Sequence, residues 1–438
     1  MGVVRTVPEP SLTRSQGVGA GVVSVLAWSL DLFDLFLLLY VASTIAPLFF
    51  PSSATTLSLA YVYVGFGFTL LFRPLGAVLF GPFADRRGRR VVMVITLCGS
   101  GGSIALLGAL PTLQEAGAIA PILFYLLRIV QGIFVGGVVA SSHTLGTESI
   151  PPRWHGLMSG FIGGGGAAIG GAIASLVYLV TSTIFPGALF AVWGWRVTFF
   201  CGLLSVILAV IVATTVRESP RWEQRKVTPA RRAPLGAVVG GHLGALLLNV
   251  VVVAGAGTCY YLTSGYLPTF LAKVNGLPGQ ATGWILLLAN LVILFSALLF
   301  GHLSQHLGRR PTFLVIGVMD LIVLPIAFLL LGRLSSHQAT LPIVLLVLVL
   351  TFGGNAAYAP VQAFLAERFP TVVRSTGAAL SWNVGFAIGG IQTSIVTAAS
   401  GGLDRLPAFL AIWLAAASVL YLLGAIFTPE TKGRVAAA

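Results

Sequence analysis

Charged residues are scarce in this sequence. Asp, Glu, Lys and Arg together make up 8% of its 438 residues, whereas hydrophobic residues make up 57%. Average protein composition includes about 25% charged residues, so the scarcity excludes an ordinary water-soluble domain. A helix needs about 20 apolar residues to cross a bilayer, and the bilayer admits only helices or closed barrels because every backbone polar group must be paired. The long continuous apolar runs therefore predict an all-α membrane protein embedded in the lipid bilayer.

Cysteine and catalytic motifs are scarce as well. The three cysteines lie in apolar runs without metal or redox spacing, which excludes a disulfide framework and a cysteine metal site. No nucleophile motif occurs, and no phosphate-binding glycine loop precedes a helix. The sequence therefore predicts a protein that is not an enzyme and that uses no cofactor. The net charge of +13 does not indicate nucleic acid binding, because the basic residues lie in short loops between apolar runs, where they set membrane topology.

Apolar runs bounded by proline, glycine or charge predict twelve transmembrane helices. These runs cover residues 18–46, 57–81, 91–110, 120–147, 156–182, 195–216, 236–265, 281–303, 311–332, 341–366, 375–400 and 406–428. We expect residues 1–216 to form an N-terminal six-helix bundle, 217–235 a basic linker, and 236–438 a C-terminal six-helix bundle. Lys and Arg concentrate in alternate loops, so the positive-inside rule predicts that both termini and the linker are cytoplasmic, in the inner or plasma membrane.

A duplication relates the two predicted halves. The charged joint Gly81–Arg90 recurs in weaker form as Gly301–Arg310, and Ala168–Gly171 recurs as Ala387–Gly390, 219 residues later. A repeat at this distance indicates a duplicated half rather than a short solenoid unit. Two pseudo-symmetric six-helix halves are typical of transporters that rock about a central site near the bilayer midplane.

The joint Gly81–Arg90 resembles the G-x-x-x-D-R-x-G-R-R signature of the major facilitator superfamily. Further stretches resemble its metabolite:proton symporter family; they are Arg73–Gly81, Arg128–Gly132, Trp193–Arg196, Glu218–Pro220, Tyr266–Leu271 and Ala363–Pro370. The resemblance implies the major facilitator fold and inward transport, with protons, of small carboxylates, aromatic or cyclic acids, or betaine-like zwitterions. The sequence departs from the family at Val138, where such symporters commonly have a glutamate. It also has Ala167 where proton-driven drug exporters have a proline, which disfavours that function.

Two acids lie in the middle of the first predicted helix. Asp31 and Asp34 are three residues apart and therefore share one helical face. Acids within the membrane are rare and are usually paired, hydrated or proton-carrying. We predict that this pair carries the coupled proton, as the resemblance also implies; the alternative is structural pairing with a neighbouring arginine.

Arg128, in the fourth predicted helix, is the predicted partner of the substrate. At 1.5 Å per residue it lies at a depth similar to that of Asp34, and the resemblance implies that the first and fourth helices line one cavity. A guanidinium group presents a planar fork that suits a carboxylate and keeps its charge. We predict that an entering carboxylate competes for Arg128 and frees Asp34 to accept a proton. The alternative is a permanent Asp34–Arg128 ion pair that holds the two helices together.

Uncharged polar and aromatic residues of the second half are predicted to form the opposite wall of the site. Donors and acceptors beside ring faces suit a small organic acid whose charge is neutralised by the first half; the alternative is that they join helices to one another. Asn355, Tyr358 and Gln362 recur at helical spacing and are expected on one face. The polar and aromatic residues of this wall also include Tyr266, Asn290 and Gln392. Those predicted to bind substrate are Asn249, Tyr260, Tyr261, Asn355, Tyr358, Gln362, Trp382 and Asn383.

The charged joints and their neighbours are predicted to gate access from the cytoplasmic side. The predicted gating residues are Gly81, Asp85, Arg86, Gly88, Arg89, Arg90, Glu148, Arg153, Gly308, Arg309, Arg310, Glu367 and Arg374. We expect the first joint to engage charges or a helix N-terminus of the other half. His143 is a further residue that could titrate near neutral pH, Arg73 is expected to anchor the second helix near the cytoplasmic face, and Asp320 receives no predicted role.

Together these features predict a proton-coupled importer of a small organic anion, a mono- or dicarboxylate or an aromatic or cyclic acid, that works by alternating access. Its predicted partners are that acid, protons and lipid. A uniporter or exporter of a neutral or amphipathic solute is the alternative within transport. A membrane sensor that binds its ligand without moving it is the alternative from another class.

Overall fold

The structure is a computed structural model that describes residues 14–148, 161–216, 218, 235–335, 340–370 and 373–432, but not every side chain within them; those of Asp85, His143 and Glu148 are among the side chains that it does not describe. Its main helices are α1 (Arg14–Phe49), α2 (Thr55–Arg87), α3 (Arg89–Gly108), α4 (Ile119–Glu148), α5 (Gly166–Ile184), α6 (Leu203–Thr215), α7 (Leu235–Tyr260), α8 (Gly279–Leu307), α9 (Arg309–Leu331), α10 (Thr340–Gly354), α11 (Arg374–Ser400) and α12 (Leu406–Phe427). Shorter helical pieces are Leu113–Ala116, Phe161–Gly165, Phe190–Gly194, Trp195–Phe200, Tyr261–Gly265, Leu267–Lys273 and Tyr358–Arg368. The prediction of an all-α fold is confirmed.

Eleven helical segments among the described residues are long and apolar enough to cross a bilayer. The remaining predicted helix corresponds to α11, which has 27 residues and is therefore also long enough to cross. Its many Gly, Ser and Thr residues lower its hydropathy. Since α11 packs against both α2 and α7, part of its surface faces protein, where small residues allow close packing.

The Ala168–Gly171 and Ala387–Gly390 repeats make equivalent contacts in the two halves. The first glycine of each pair touches a helix of its own half: Gly170 lies against α1 and Gly389 against α7. The second glycine touches the opposite half: Gly171 lies against α8 and Gly390 against α2. A methyl group on the second glycine would lie 2.0 Å from Oδ1 of Asn290 in the first repeat and 2.0 Å from Cδ1 of Leu70 in the second. A larger residue at either position would require the Asn290 or Leu70 side chain to move, so the sequence repeat corresponds to a repeated packing contact.

Hydrogen bonds join the two halves on the distal side, which we define as the side opposite to the α2–α3 and α8–α9 joints. There the Tyr63 hydroxyl donates a hydrogen bond of 2.8 Å to Oγ1 of Thr269 across the interface. Asn290 donates one of 3.0 Å to Oγ of Ser175. These bonds, together with extensive packing of α2 on α11 and of α5 on α8, close the distal side.

Two predicted helices differ from the observed ones. The predicted run 236–265 continues past its expected end, because Tyr261–Gly265 forms a π-helical turn and Leu267–Lys273 extends the helix. Pro268 does not stop this extension, because proline is tolerated in the first turn of a helix. The predicted run 341–366 is interrupted by a turn between α10 and Tyr358–Arg368. Most of the predicted linker lies outside the described residues, so the domain boundaries stay a prediction.

Candidate functional site

Asp31 forms an ion pair with Arg73 rather than with Arg128. Nη2 of Arg73 lies 3.3 Å from Oδ2 of Asp31, and both side chains are almost completely buried, at 5% and 0% exposure. The expectation that Arg73 anchors α2 near a membrane face is therefore wrong, because its guanidinium group is buried inside the protein beside α1. Sequence reasoning missed this residue as part of the site. Its position as a charged residue inside the apolar run 57–81 was the available signal.

Asp34 and Arg128 are both completely buried but do not form the predicted ion pair. Asp34 accepts a hydrogen bond of 3.1 Å from Oγ of Ser205 on α6. Arg128 donates from Nη1 to Oε1 of Gln131 and from Nε, at 3.4 Å, to the Gly65 carbonyl oxygen. The charges of Asp34 and Arg128 still interact through space. The alternative of a permanent ion pair between α1 and α4 is therefore excluded for this conformation.

Several polar atoms around these four charged side chains are buried without a hydrogen-bond partner. They are Oδ1 of Asp31, Oδ1 of Asp34, Nε of Arg73, Nη2 of Arg128 and Nε2 of Gln131. A buried polar atom without a partner costs about 1–3 kcal/mol, and such atoms are rare in folded proteins. Their concentration in one place indicates a site built to receive a polar ligand, a proton or water rather than a completed structural network.

Aromatic side chains of the second half face this charged region. The ring of Tyr260 lies 6.1 Å from that of Phe36 on α1, and the ring of Tyr261 lies 5.0 Å from that of Phe66 on α2. Phe66 and Leu70 approach Gly390 of α11, which places this part of α2 between the charged cluster and the aromatic wall. The predicted wall residues Tyr260 and Tyr261 thus lie at the boundary between the two halves.

The aromatic wall contains one residue that sequence reasoning missed. Phe386 stacks on Trp382 with ring centroids 4.2 Å apart, and Trp382 lies edge-on to Tyr358 at 5.1 Å. Tyr260 is 5.5 Å from Tyr358. With Ala256, Gly354 and Val361 these rings surround a small recess that has no room for a water molecule in this conformation. We call Tyr260, Tyr358, Trp382 and Phe386 the aromatic cup. Phe386 follows Trp382 at helical spacing, which was the signal that could have identified it.

The predicted single face of Asn355, Tyr358 and Gln362 is wrong, because the chain turns at Asn355. Its amide nitrogen donates to Oγ of Ser264 and to the Thr351 carbonyl oxygen, each at 2.7 Å, so Asn355 joins the turn after α10 to the π-helical turn Tyr261–Gly265 after α7. Gln362 lies against Gly163 of the other half. Neither contact places these two amides in the aromatic cup.

The remaining predicted wall residues, Asn249 and Asn383, lie in different environments. Both polar atoms of the Asn249 amide are buried without a hydrogen-bond partner. Nδ2 of Asn383 donates a hydrogen bond of 2.9 Å to the carbonyl oxygen of Ala379 within α11, and Oδ1 of Asn383 has no hydrogen-bond partner. Asn249 is therefore the more available of the two for a ligand.

A comparison with known proteins identifies the family to which this arrangement belongs. The sequence profile described as Major Facilitator Superfamily matches residues 32–393. The chain belongs to the Major Facilitator Superfamily. It is a secondary transporter rather than an enzyme, as its sequence predicts, and an integral multi-pass membrane protein.

Relatives within the superfamily cover the whole chain. The inner membrane metabolite transport protein YhjE of Escherichia coli is 31% identical over 422 residues, which is 94% of each chain. The ectoine/proline transporter ProP of Corynebacterium glutamicum is 28% identical, covering 98% of this chain and 89% of its own. The crystal structure of a D-xylose–proton symporter has a TM-score of 0.76 at 17% identity, covering 95% and 99%. These likenesses confirm the predicted superfamily fold and relate the chain to proton symporters of metabolites.

The two charged joints of this chain are each capped by a glutamate to which the sequence analysis gave no capping role. Glu218 accepts hydrogen bonds of 3.0 and 3.1 Å from the backbone nitrogens of Arg89 and Arg90, at the start of α3. A side chain on Gly88 would collide with Glu218, and Gly88 also has a φ of +104°, a value that favours glycine. The carboxylate therefore neutralises the positive end of α3 within its own half.

The second joint repeats this arrangement at the start of α9. Glu430 accepts hydrogen bonds of 2.9 and 3.0 Å from the backbone nitrogens of Arg309 and Arg310, and Gly308 also has a φ of +104°. The Arg309 side chain forms a two-bonded ion pair with Glu367, at 2.8 and 3.1 Å. These contacts all lie in the second half, so engagement of the other half by the joints stays a prediction.

The other predicted gating residues are placed as follows. Gly81 has open space where a side chain would lie, and Arg86 is exposed. Nε of Arg374 donates a hydrogen bond of 3.2 Å to the Phe369 carbonyl oxygen. Arg153 and the side chains of Asp85 and Glu148 lie outside the described residues, as does that of His143. Asp320 is buried in α9 against Gly353 of α10, inside the second half and outside the site between the halves.

The cap at the second joint predicts a dependence of stability on pH. Burial opposes ionisation of Glu430, but backbone N–H groups of Lys432, Arg309, Arg310 and Thr431 outweigh it, so the pKa of this carboxyl lies below its usual range. The stabilisation that ionised Glu430 gives to the folded state is complete at pH values above the ordinary glutamate pKa of about 4.3. It is lost as the pH falls through the lower folded-state pKa. We expect the thermal midpoint of wild type in nanodiscs to fall more steeply on acidification than that of Glu430→Gln. The control is Asp404→Asn at an exposed acid; a parallel pH dependence of wild type and Glu430→Gln would contradict the capping role.

Proposed function

We propose that this transporter imports a small organic anion together with protons by alternating access, with both termini cytoplasmic. The observation that carries this proposal is the buried group of Asp31, Asp34, Arg73 and Arg128 with its unpartnered oxygens and nitrogens. Two acids and two arginines balance in charge when all are ionised. An anion that enters this neutral group is therefore compensated when one acid takes up a proton, which couples the two movements.

Arg128 supplies the binding half of this coupling. Its Nη2 has no hydrogen-bond partner, and its contacts to Gln131 and Gly65 use the other guanidinium nitrogens. A carboxylate that binds Nη2 needs to displace no existing ion pair of Arg128. Asp34, which interacts with Arg128 through space, then loses part of its favourable environment as an anion and accepts the proton.

The aromatic wall supplies the apolar remainder of the site. A small metabolite buries most of its surface in a pocket lined by apolar and aromatic groups, with a few polar groups that fix its orientation. The relationship to a metabolite transporter and to an ectoine/proline transporter supports a small metabolite as the transported substrate. Closure of the distal side by the hydrogen bonds of Tyr63 and Asn290 supports alternating access.

The test is uptake of a panel of organic acids into liposomes that contain the purified protein, with and without an inward proton gradient. We expect at least one acid to accumulate above its external concentration only when the gradient is present. Uptake that never exceeds equilibration would instead indicate a uniporter. Binding without any uptake would indicate a sensor, and accumulation of no acid under any gradient would contradict the proposal.

A further inference from the structure

We infer that a second cavity, at the distal end of the interface between the halves, binds a regulatory organic anion with one charge and an apolar body, and that this anion holds the distal side closed. The cavity has a volume of about 350 Å³, and ligand pockets in proteins are commonly about 300–1,000 Å³. We call it the distal pocket. None of Asp31, Asp34, Arg73 and Arg128 lines it, so its ligand is additional to the transported substrate.

Both halves contribute walls to the distal pocket. Ser43 near the end of α1 and Tyr178 on α5 belong to the first half, whereas Lys273 belongs to the second. The halves touch at its edge, because a β-carbon on Gly279 at the start of α8 would lie 2.9 Å from Cβ of Ser182 on α5. A ligand that fills the pocket therefore contacts both halves at once.

Lys273 gives the distal pocket its charge. It is exposed, and among the described residues that line the pocket it alone is charged. No acid among the described residues forms an ion pair with it. The lining also includes the hydroxyl groups of Ser43 and Thr44, which can donate hydrogen bonds to an anion. A single ammonium group beside hydroxyl donors matches a ligand with one negative charge.

Aromatic side chains make up the apolar part of the distal pocket. Tyr178, Phe185 and Phe190 line it, and the rings of Tyr178 and Phe190 lie edge to face with their centroids 5.6 Å apart. An inorganic ion at Lys273 would leave these rings uncovered. An organic anion with an apolar body covers them and places its charged end at the lysine, as ligands do in pockets with mostly apolar walls and a few polar groups.

The distal pocket rests on the hydrogen bonds that close the distal side. The ring of Tyr178 lies 5.8 Å from that of Tyr40. The hydroxyl groups of Tyr40 and Ser175 form a hydrogen bond of 3.0 Å, and Asn290 of the second half also donates to Ser175. Separation of α5 from α8 would break this contact and divide the pocket. A ligand that touches both walls therefore binds the closed conformation more tightly and increases its population.

The test compares 3-phenylpropionate with its neutral amide, 3-phenylpropionamide. The two probes have the same ring and chain and differ in the negative charge. Their binding to the purified full-length protein is measured by isothermal titration calorimetry at one fixed pH. We expect the anion to bind about tenfold more tightly than the amide, because only the anion forms a charged hydrogen bond with Lys273.

Variants assign this preference to the distal pocket. Lys273→Gln is expected to weaken binding of 3-phenylpropionate about tenfold and to leave that of the amide unchanged. The matched control is Arg333→Gln, at an exposed cation that follows α9 on the distal side and does not line the pocket. It should change neither affinity. Arg128→Ala, which removes the anion site of the first half, should also leave binding of 3-phenylpropionate intact.

Double electron–electron resonance measures the closing effect while the anion site of the first half stays intact. Spin labels are attached through Gln114→Cys and Arg405→Cys, at exposed distal positions of the two halves, after the three native cysteines are replaced by serine. Asn290→Ala is included because it removes a closing hydrogen bond and so raises the open population. We expect saturating 3-phenylpropionate to increase the ratio of closed to open molecules about threefold. Addition of Lys273→Gln should abolish the increase.

The outcomes separate this inference from the proposed function, on which only the closing role rests. If binding is lost in Arg128→Ala and kept in Lys273→Gln, the probe occupies the central site, and the distal pocket is overturned while carboxylate transport stands. Equal binding of the anion and the amide, or no binding of either, also overturns the pocket. A distance distribution that the probe leaves unchanged overturns the closing role. The organic acid panel tests the proposed function independently.

Discussion

Replacement of Asp34 by asparagine is expected to abolish proton-driven accumulation of the substrate. The variant should still carry substrate across the membrane down its concentration gradient. Asparagine has nearly the size of aspartate and can still accept the hydrogen bond from Ser205, but it cannot take up a proton. With one proton per substrate, a gradient of about 1 pH unit supports about tenfold accumulation. We expect wild type to approach that ratio in liposomes and Asp34→Asn to reach only equal concentrations on the two sides.

Two further variants make this result specific. Ser205→Ala removes the hydrogen bond but keeps the carboxyl group, so accumulation should persist at a lower rate. Arg128→Ala should lose substrate binding itself, which a competition assay with radiolabelled substrate detects. If properly folded Asp34→Asn and Arg128→Ala both retain wild-type proton-driven uptake, the coupling mechanism is wrong.

Removal of Arg73 alone is expected to have the largest effect on stability. In Arg73→Ala the carboxylate of Asp31 loses its ion-pair partner while it stays buried. Breaking one side of a buried ion pair costs about 3–5 kcal/mol, because an uncompensated charge remains in a poorly solvated place. We expect a clear decrease in the thermal midpoint of the purified protein in detergent, together with loss of transport.

The double variant Asp31→Asn/Arg73→Gln separates the charge from the packing. It removes both charges and keeps two side chains that can form a neutral hydrogen bond, so most of the lost stability should return. Transport should remain impaired, since Asp31 and Arg73 then no longer balance an entering charge. Equal destabilisation by the single and double variants would show that side-chain volume, not the ion pair, is responsible.

The sequence predicted the fold well because the constraints of the bilayer act on long segments. Each helix had to supply a run of apolar residues, and each such run was visible. The 219-residue offset between the Gly-Gly repeats also anticipated the matching contacts of α5 and α11. Local irregularities escaped prediction. The turn at Asn355 and the π-helical turn Tyr261–Gly265 pack against each other, and this contact between residues about 90 positions apart is not visible in either local sequence.

The charged residues of the site could be predicted, but their pairing could not. Depth follows from position along a helix, which is why Arg128 and Asp34 were expected to meet. Direction around the helix axis depends on how neighbouring helices are rotated, and the sequence contains no direct measure of that rotation. Asp31 and Asp34 share a face only approximately, so Asp31 turns towards Arg73 on α2 while Asp34 turns towards Ser205 on α6.

The second glycine of each Ala-Ile-Gly-Gly repeat has a consequence for motion. At these two positions α5 and α11 contact the opposite half without a side chain of their own, so their backbones lie closer there to α8 and α2 than a larger residue would allow. A methyl group at either glycine would displace the side chain of Asn290 or Leu70 or move the halves apart. These two positions therefore link the size of a single residue to how tightly the two halves can close.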